Sequence, residues 1–333
     1  MIAAVPDALH PKGPSPTLVL LTTGGTIATE VGSDGIARHR SSGDDLLASS
    51  GDDLLAASGY GEVVVDDLMT IDSSEMTPQR WQQIAASIRA HIAGGASGVV
   101  IAHGTDTLEE TALWLALTCA VQVPVVLTGA QRSGDHPESD GPGNLRDALT
   151  VAASGETLGV VVCFAGQVYA APGLRKIDLA DPAGFAGATT VGHVRDGVFV
   201  RSCDAPAPFL GTVTRAALPR VDIVSLYPGA DAVALDAYVR AGAQGLVLES
   251  MGAGNANDVV IETVSRLVEN GIRVLVTTRV PGGALTTGYA PGQRLIDAGA
   301  VVVPRLRSAQ ARVLLMAALS TGSDLRAVVD RLG

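Results

Sequence analysis

The stretch Thr-Leu-Val-Leu-Leu-Thr-Thr at residues 17–23, followed by Gly24 and Gly25, decides the fold class. Its near-continuous apolar run predicts a strand buried on both faces, as in a parallel sheet. Further strand-like runs lie at 62–71, 98–102, 124–128 and 158–164. Helical patterns separate most of these runs, so the sequence predicts an α/β fold with a doubly wound, mostly parallel sheet.

Two helix starts are marked by residue type. Thr77 is expected to be the N-cap of a helix whose first residue is Pro78, because apolar side chains then recur at helical spacing. Another helix begins after Thr107, which is expected to form a capping box with Glu110.

The alternation of strands and helices fails between His193 and Arg220, where prolines and scattered polar residues indicate a connection between domains. It then resumes. We therefore predict an N-terminal domain at residues 1–205, a linker at 206–220 and a smaller C-terminal α/β domain at 221–333.

A tandem copy of eight residues occupies 42–49 and 50–57. Its period matches neither a solenoid repeat nor a heptad, which indicates slippage within a tolerant surface segment. We expect it to extend a loop or a lid helix.

Composition excludes several functions. The chain of 333 residues has 23 basic and 34 acidic side chains, a net charge of -11 with histidine neutral. Such a surface repels nucleic acid and anionic lipid, which leaves a small neutral or zwitterionic partner. No export signal or membrane-length apolar run is recognised, so a cytoplasmic protein is expected. The six histidines show no ligand pair for a metal, and Cys119, Cys163 and Cys203 are expected to be buried thiols.

Candidate chemistry is expected in loops that leave the carboxyl ends of the strands, where ligands of α/β sheets bind. Thr26 follows Gly24 and Gly25, so its hydroxyl is placed beside backbone N–H groups, as a nucleophile requires. Alternatively, the glycines make a strand-to-helix turn and Thr26 caps the next helix.

The loop at 103–107 (His-Gly-Thr-Asp-Thr) holds a hydroxyl and a carboxylate side by side at Thr105 and Asp106. This pair suits water activation, although both could simply be residues that satisfy a helix start. His103 is interpreted as a packing residue and not as a base.

Together these motifs resemble the paired signatures of the bacterial-type L-asparaginase/glutaminase family. The resemblance extends across most of the chain. Its matching segments are 23–28 (Thr-Gly-Gly-Thr-Ile-Ala), 103–107, 128–132 (Thr-Gly-Ala-Gln-Arg), 140–145 (Asp-Gly-Pro-Gly-Asn-Leu), 254–257 (Gly-Asn-Ala-Asn), 280–283 (Val-Pro-Gly-Gly) and 310–315 (Gln-Ala-Arg-Val-Leu-Leu).

The resemblance implies hydrolysis of the side-chain amide of asparagine, or of glutamine, without a cofactor. It implies that Thr26 is the nucleophile and that Thr105, Asp106 and Lys176 form a second catalytic cluster. We expect Lys176 to be a charged partner of that cluster, because neutralising a lysine near neutral pH is costly.

The resemblance also implies the substrate contacts and the assembly. Ser73 and Asp106 match residues that hold the α-amino and α-carboxylate groups of the substrate, and the family counterpart of Asn257 contributes across a subunit interface. A homodimer or homotetramer is therefore expected. The predicted substrate-binding residues are Gly25, Ser73, Ser74, Thr105, Asp106, Ala130 and Asn257, with a backbone N–H near Thr26 or Ala130 serving the oxyanion.

Two departures from the family pattern stand out. Many members carry a tyrosine a dozen or so residues beyond the nucleophile, but ungapped counting puts His39 there, and the next tyrosine is Tyr60. His39 could titrate near neutral pH, or it could be a solvated loop residue. The segment 282–290 lacks the glutamate that reaches the neighbouring subunit's substrate in exported, high-affinity members.

Three alternatives to an asparaginase remain open. The first is a glutaminase or other small-amide hydrolase, and the second is a noncatalytic amino-acid-binding module on the same fold. The third is a dinucleotide-binding domain, prompted by Gly-Ala-Gly-Asn-Ala-Asn-Asp at 252–258, where Asp258 stands in place of the third glycine. Retention of Thr26 together with Lys176 favours an enzyme.

Overall fold

The structure is a computed structural model. It describes residues 17–32, 34, 36–51, 62–204, 208–214 and 217–333. Tyr60 and residues 52–57 of the second tandem copy lie outside these ranges, whereas the first copy forms a short helix capped by Ser42. None of the helices in the described ranges has the length and apolar character needed to cross a membrane.

Strands and helices alternate through most of the described chain. The strands are β1 (Thr17–Gly24), β2 (Thr29–Val31), β3 (Ala37–His39), β4 (Glu62–Ile71), β5 (Gly98–Ala102), β6 (Val125–Thr128), β7 (Val160–Phe164), β8 (Gln167–Ala170), β9 (Arg175–Lys176), β10 (Phe185–Ala186), β11 (Thr190–Arg195), β12 (Val198–Arg201), β13 (Val221–Ser225), β14 (Gly245–Ser250), β15 (Arg273–Thr278) and β16 (Val301–Val302). The α-helices are α1 (Gly43–Ser50), α2 (Pro78–Ala93), α3 (Leu108–Thr118), α4 (Gly141–Ala153), α5 (Val233–Arg240), α6 (Asp258–Glu269), α7 (Ala290–Asp297), α8 (Ser308–Thr321) and α9 (Leu325–Leu332).

The larger sheet has the order β12-β11-β8-β7-β6-β5-β1-β4. Its strands from β4 to β7 are parallel, and β8, β11 and β12 extend it in antiparallel fashion. The predicted mostly parallel sheet is confirmed. The connection predicted from His193 onward is wrong at its start, because His193 belongs to β11. Asp196 and Gly197, with φ of 50° and 73°, form the two-residue turn between β11 and β12.

Helices cover both faces of this sheet, as a doubly wound fold requires. Side chains alternate along β1, so Leu18 and Leu20 pack into one core while Val19 and Leu21 pack into the other. The first core includes residues of α4, and the second includes residues of α2 and α3. The apolar run that predicted β1 is therefore buried on both sides.

Contacts of α2 and α3 test the two predicted helix starts. Thr77 accepts a hydrogen bond from the Arg80 backbone N–H at 3.3 Å, which confirms the first N-cap. The capping box predicted at Thr107 is wrong, because the Thr107 hydroxyl donates to the Ser73 carbonyl instead. The indole rings of Trp81 and Trp114 stack between these two helices, with centroids 5.6 Å apart.

A smaller parallel sheet follows, in the order β13-β14-β15-β16. Between β12 and β13, residues 208–214 and 217–220 form neither helix nor strand. The division at 206–220 into two domains stays a prediction. Helix α8 packs against both this sheet and α3, so one hydrophobic core continues from the larger sheet to the smaller one.

Two of the three cysteines match their expected environment. Cys119 and Cys163 are buried, and burial raises the pKa of the Cys119 thiol to about 11. Cys203 is exposed, so the prediction was wrong for it. It lies just beyond β12, at the edge of the sheet.

Candidate active site

Two of the predicted loops touch through glycines at the carboxyl end of the larger sheet. A methyl group added to Gly25 would stand 2.3 Å from the Cα atom of Gly104. Gly25 also has a φ of 84°, a conformation that residues with side chains rarely adopt. Because Gly25 precedes Thr26 and Gly104 precedes Thr105, this contact brings the two candidate motifs together.

A third loop packs on the same glycine. A methyl group on Gly104 would lie 2.6 Å from Cβ and 2.7 Å from Oγ of Ser73. Ser73 is buried, whereas the neighbouring Ser74 is exposed and donates its backbone N–H to Asp72. Hydrogen bonds from the Ser74 hydroxyl and backbone N–H lower the pKa of Asp72. The geometry thus places Ser73, and not Ser74, against the junction of the loops.

Lys176 joins the cluster from the paired strands β9 and β10. Its Nζ atom donates to Thr105 Oγ1 at 2.8 Å and to Asp106 Oδ1 at 2.7 Å. The Lys176 side chain is 15% exposed and that of Asp106 is 60% exposed, so the ion pair opens to solvent on the Asp106 side. Asp106 therefore pairs with Lys176 and does not cap helix α3. No side chain caps the start of that helix.

A carboxylate from α3 holds the backbone of Lys176. Glu109 Oε2 accepts the Lys176 backbone N–H at 2.6 Å. Burial raises the pKa of Glu109 to about 7, against the opposing effect of that hydrogen bond. Nothing in the sequence pattern singled out Glu109, because its partner lies 67 residues away along the chain.

Thr26 begins a single turn of 3₁₀-helix at residues 26–28. The N-cap of this turn is Gly25, so the alternative in which Thr26 serves as a cap is wrong. Its carbonyl accepts a hydrogen bond from the Thr29 hydroxyl at 2.9 Å. Its own hydroxyl makes no hydrogen bond to any residue within the described ranges, and the residue is only partly buried. Thr26 can therefore present its Oγ1 atom to a ligand.

His103 is fully buried and lies behind the site. Its Nδ1 atom lies 2.7 Å from the Gly104 carbonyl and its Nε2 atom 3.0 Å from the Thr111 hydroxyl. The Trp81 indole N–H donates to that same hydroxyl at 2.9 Å, so the hydroxyl hydrogen is available for Nε2. Burial lowers the pKa of His103 to about 4. A neutral imidazole held in this way supports its interpretation as a packing residue.

His39 lies on β3, which pairs with β2 as a short hairpin next to the Thr26 loop. A methyl group on Gly24 would lie 2.8 Å from the His39 ring carbon Cε1. The Nδ1 atom is buried and has no hydrogen-bond partner among the described residues. The ring therefore packs on the loop that carries Thr26 and is not the fully solvated loop side chain of the alternative interpretation.

Ala130 is buried in the loop after β6, next to Gly129, which packs against the loop that carries Thr105. A methyl group on Gly129 would stand 2.4 Å from the His103 carbonyl and 3.3 Å from Cγ2 of Thr105. Asp140 fixes the next turn, since its carboxylate accepts the backbone N–H groups of Gln131 and Arg132. A rigid loop thus borders the cluster where an oxyanion donor was predicted.

Asn257 is not brought to the cluster by contacts within the chain. Its side chain caps α6 by accepting the Val260 N–H at 3.0 Å, and it donates to the Ala230 carbonyl at 2.7 Å. The segment 252–258, considered above as a dinucleotide loop, instead forms a tight turn closed by a bridge between Met251 and Asn255.

The loop after β15 is tied to β9. Arg175 donates to the Pro281 carbonyl at 2.6 Å, and Arg307 donates to the carbonyls of Val280 and Gly283. This loop, which lacks an acidic residue, therefore adjoins the strand that carries Lys176.

Comparison with known proteins gives matches over nearly the whole chain. The family model "Asparaginase, N-terminal" matches residues 17–202, and "Glutaminase/Asparaginase C-terminal domain" matches residues 220–331. A glutamyl-tRNA(Gln) amidotransferase subunit of Halobacterium salinarum is 32% identical, over 95% of this chain and 78% of that protein. "Probable L-asparaginase periplasmic" of Haemophilus influenzae is 31% identical, over 94% and 91%.

Two solved structures of L-asparaginases have a similar fold over nearly the whole chain. The structure of "Probable Cytoplasmic L-asparaginase from Campylobacter jejuni" gives a TM-score of 0.81 at 29% identity, covering 96% of this chain and 99% of that one. The thermostable L-asparaginase from Thermococcus kodakarensis gives 0.82 at 28% identity, covering 95% and 97%.

Fold and relatives define the chain as an amidohydrolase built from two α/β units, with a predicted Thr-Asp-Lys cluster at the edge of the larger sheet. The chain belongs to the asparaginase/glutaminase family.

Proposed function

We propose that this enzyme hydrolyses the side-chain amide of L-asparagine to aspartate and ammonia. The proposal is supported by the contact of Gly25 with Gly104, because it brings the segment that carries Thr26 against the segment that carries Thr105 and Asp106, whose side chains contact Lys176. In the proposed site the Thr26 hydroxyl, which has no protein partner within the described ranges, acts together with a hydroxyl, a carboxylate and an ammonium group.

In this proposal Thr26 Oγ1 attacks the amide carbon and its hydroxyl proton passes to the leaving nitrogen. The C–N bond breaks, ammonia leaves, and an ester links the substrate acyl group to Thr26. Water then cleaves the ester, releasing aspartate and restoring the hydroxyl. A backbone N–H near Thr26 or Ala130 stabilises the oxyanion, and one such donor contributes about 2.7 to 4 kcal/mol.

In this scheme Thr105 and Lys176 take part in the transfer of the Thr26 hydroxyl proton. Because the Lys176 ammonium donates to Thr105 Oγ1, the Thr105 hydroxyl keeps its own hydrogen for a water molecule or the substrate. Asp106 holds the ammonium from its other side and is exposed enough to bind the α-amino group of a substrate. Ser73, buried at the loop junction, is the proposed second anchor of the amino-acid backbone, and Gly25 and Ser74 stay predicted substrate-binding residues.

Glutamine is the alternative substrate. It differs from asparagine by one methylene, which changes transition-state binding by only about 1 to 3 kcal/mol. The amidotransferase relatives raise the further alternative of ammonia supply to a tRNA-linked reaction, but the net charge of -11 disfavours contact with tRNA. We therefore propose free asparagine as the preferred substrate and free glutamine as the weaker one.

We also propose that the enzyme is at least a homodimer. Large apolar side chains are exposed near the carboxyl end of the smaller sheet, among them Tyr227, Val233, Val259 and Tyr289. Val259 lies two residues beyond Asn257, and the Tyr227 carbonyl accepts the N–H of Ala230, whose own carbonyl binds the Asn257 side chain. A second subunit is expected to dock here. Light scattering tests this, and a monomer at working concentration contradicts it. A cytoplasmic location stays a prediction, since relatives are named for both compartments.

The experiment that tests the function is ammonia release from asparagine and from glutamine. We expect the wild-type chain to release ammonia, Thr26→Ser to retain part of the rate because it keeps a hydroxyl, and Thr26→Ala to lose it. Binding of asparagine by wild type without ammonia release, at a level equal to Thr26→Ala, would identify a binding module instead. A rate with glutamine above that with asparagine reverses the proposed preference.

A further inference from the structure

Lys176 is held at both of its ends. Its ammonium group contacts Thr105 and Asp106, while its backbone N–H donates to the Glu109 carboxyl group at 2.6 Å. Strand β9, which carries Lys176, is only two residues long and pairs with β10 alone. A strand this short has few hydrogen bonds of its own, so the contact with Glu109 is a main link between Lys176 and helix α3.

Glu109 is itself fixed by a side chain from α8. Gln310, which is buried, donates to the Glu109 backbone carbonyl at 3.1 Å and to the Ala171 carbonyl at 2.9 Å. The amide oxygen of Gln310 also accepts the Gly173 N–H at 2.7 Å. One glutamine thus links the backbone of α3 at Glu109 with the segment that leads into β9, which holds the two segments joined by Glu109 and Lys176 at a fixed separation.

The charges around Glu109 come from three elements. Arg175 and Lys176 approach from β9, and Glu110 is its neighbour on α3. Arg312 of α8 lies 3.6 Å from the Glu110 carboxylate and offsets that charge. Glu110 resembles Glu109 in being partly buried on the same helical turn, but its ion-pair partner is Arg312. It is therefore a matched control.

We propose that Glu109 is a positioning residue for Lys176, with a carboxylate that fixes the backbone of β9 and thereby sets the ammonium against Thr105 and Asp106. The proposal rests on the proposed function for its kinetic part only. Glu109 does not touch the predicted substrate position in this arrangement and acts through Lys176.

Titration of Glu109 makes this role measurable. Burial raises the pKa of Glu109 from 4.5 to about 7, so its charge changes near neutral pH. The ionised form is the stronger acceptor for the Lys176 N–H, because hydrogen bonds to a charged acceptor are stronger than neutral ones. Lys176 is then expected to sense the ionisation of Glu109 near pH 7.

The NMR signal of the Lys176 side chain can report the ionisation of Glu109 with little overlap, because the chain contains only two lysines, Lys12 and Lys176. We therefore suggest labelling lysine with ¹³C at Cε and following both NMR signals with pH in wild type, Glu109→Gln and Glu110→Gln, using Lys12→Arg for assignment. The Lys176 signal is expected to shift with a midpoint near pH 7 in wild type, and at a lower pH in Glu110→Gln, because the Glu110 charge helps to raise the pKa of Glu109. Glu109→Gln is expected to lose that shift.

Kinetics give the second readout. We expect Glu109→Ala to lower kcat about tenfold, as loss of a charge-assisted hydrogen bond does, with a smaller effect on KM. Glu109→Gln is expected to recover part of kcat, because its amide oxygen can accept the same N–H, but without the rise of rate on Glu109 ionisation that we expect for wild type and Glu110→Gln.

The outcomes separate the two proposals. If the NMR signal of Lys176 keeps its midpoint near pH 7 in folded Glu109→Gln, the positioning role is overturned, whatever the rates of ammonia release. If no variant releases ammonia from either amide while Glu109→Gln still removes the midpoint, the proposed function fails and the positioning role stands.

Discussion

Gly104→Ala tests whether close contact of the loops assembles the site. The added methyl group would lie 2.6 Å from Ser73 Cβ and 3.2 Å from Gly25 Cα. Real Cβ contacts essentially never fall below 3.0 Å, so Ser73 has to move away by about half an ångström. The backbone of Gly104 has no left-handed φ, so the substitution acts through packing and not through strain.

The expected cost follows from overpacking. Inserting a methyl group into a packed site costs about 1–3 kcal/mol, and the reduced freedom of the unfolded chain returns about 0.4–1 kcal/mol. We therefore expect Gly104→Ala to unfold about 1–2 kcal/mol more easily than wild type. Gly143→Ala is the matched control. Gly143 lies in helix α4, and a methyl group added there has no atom of the described residues within 4 Å, apart from its chain neighbours and the backbone of its own helix.

Urea unfolding followed by circular dichroism measures the stability, and ammonia release measures the site. We expect Gly104→Ala to lower kcat/KM for asparagine at least about tenfold, since displacement of Ser73, the proposed substrate anchor, by a fraction of an ångström would disturb the alignment of the substrate. Gly143→Ala is expected to match or exceed wild-type stability with unchanged kinetics. Wild-type stability and kcat/KM in Gly104→Ala would show that the loops tolerate separation and that their contact does not build the site.

Three further predictions concern stability. Because burial raises the pKa of Glu109 from 4.5 to about 7, wild type is expected to lose on the order of 3 kcal/mol relative to Glu109→Gln as the pH rises through that window, measured by urea unfolding. His103 has the opposite pH dependence, because burial lowers its pKa from 6.5 to about 4. Its contribution to the free energy of unfolding is lost as the pH falls through that range. A difference in this free energy between wild type and His103→Gln that does not change with pH contradicts this. Asn257→Ala removes the cap of α6 and the bond to Ala230, with an expected loss of about 0.5–2 kcal/mol. A cost near zero in the thermal unfolding of Asn257→Ala refutes the capping role.

The central strands were predictable because their residues face a core on both sides. Such burial leaves an uninterrupted apolar run, as in β1 and β5, and the loops that follow these runs carried the candidate residues. The hairpin of β11 and β12 was missed because its outer strand exposes Val198 and Val200 and buries little, so no apolar run marks it. Its turn, Asp196-Gly197, was the available signal.

The site was only partly predictable, since sequence spacing does not report contacts between distant residues. The capping box predicted at Thr107 was wrong because both side chains have other partners. The Thr107 hydroxyl donates to the carbonyl of Ser73, 34 residues earlier, and the Glu110 carboxylate pairs with an arginine of α8. Glu109 was missed for the same reason. Helix α7 escaped notice because Pro291 and Gly292 stand in its first turn and weaken the helical pattern.

The stacked indoles of Trp81 and Trp114 are the only tryptophans in the chain. Intrinsic fluorescence excited at the red edge of the absorption band therefore comes from a single spot between α2 and α3, whereas far-ultraviolet dichroism averages over both sheets. If the smaller sheet melts on its own, the dichroism changes first while the emission stays constant. Agreement of the two signals would instead show that the core shared through α8 makes the whole chain melt in one step.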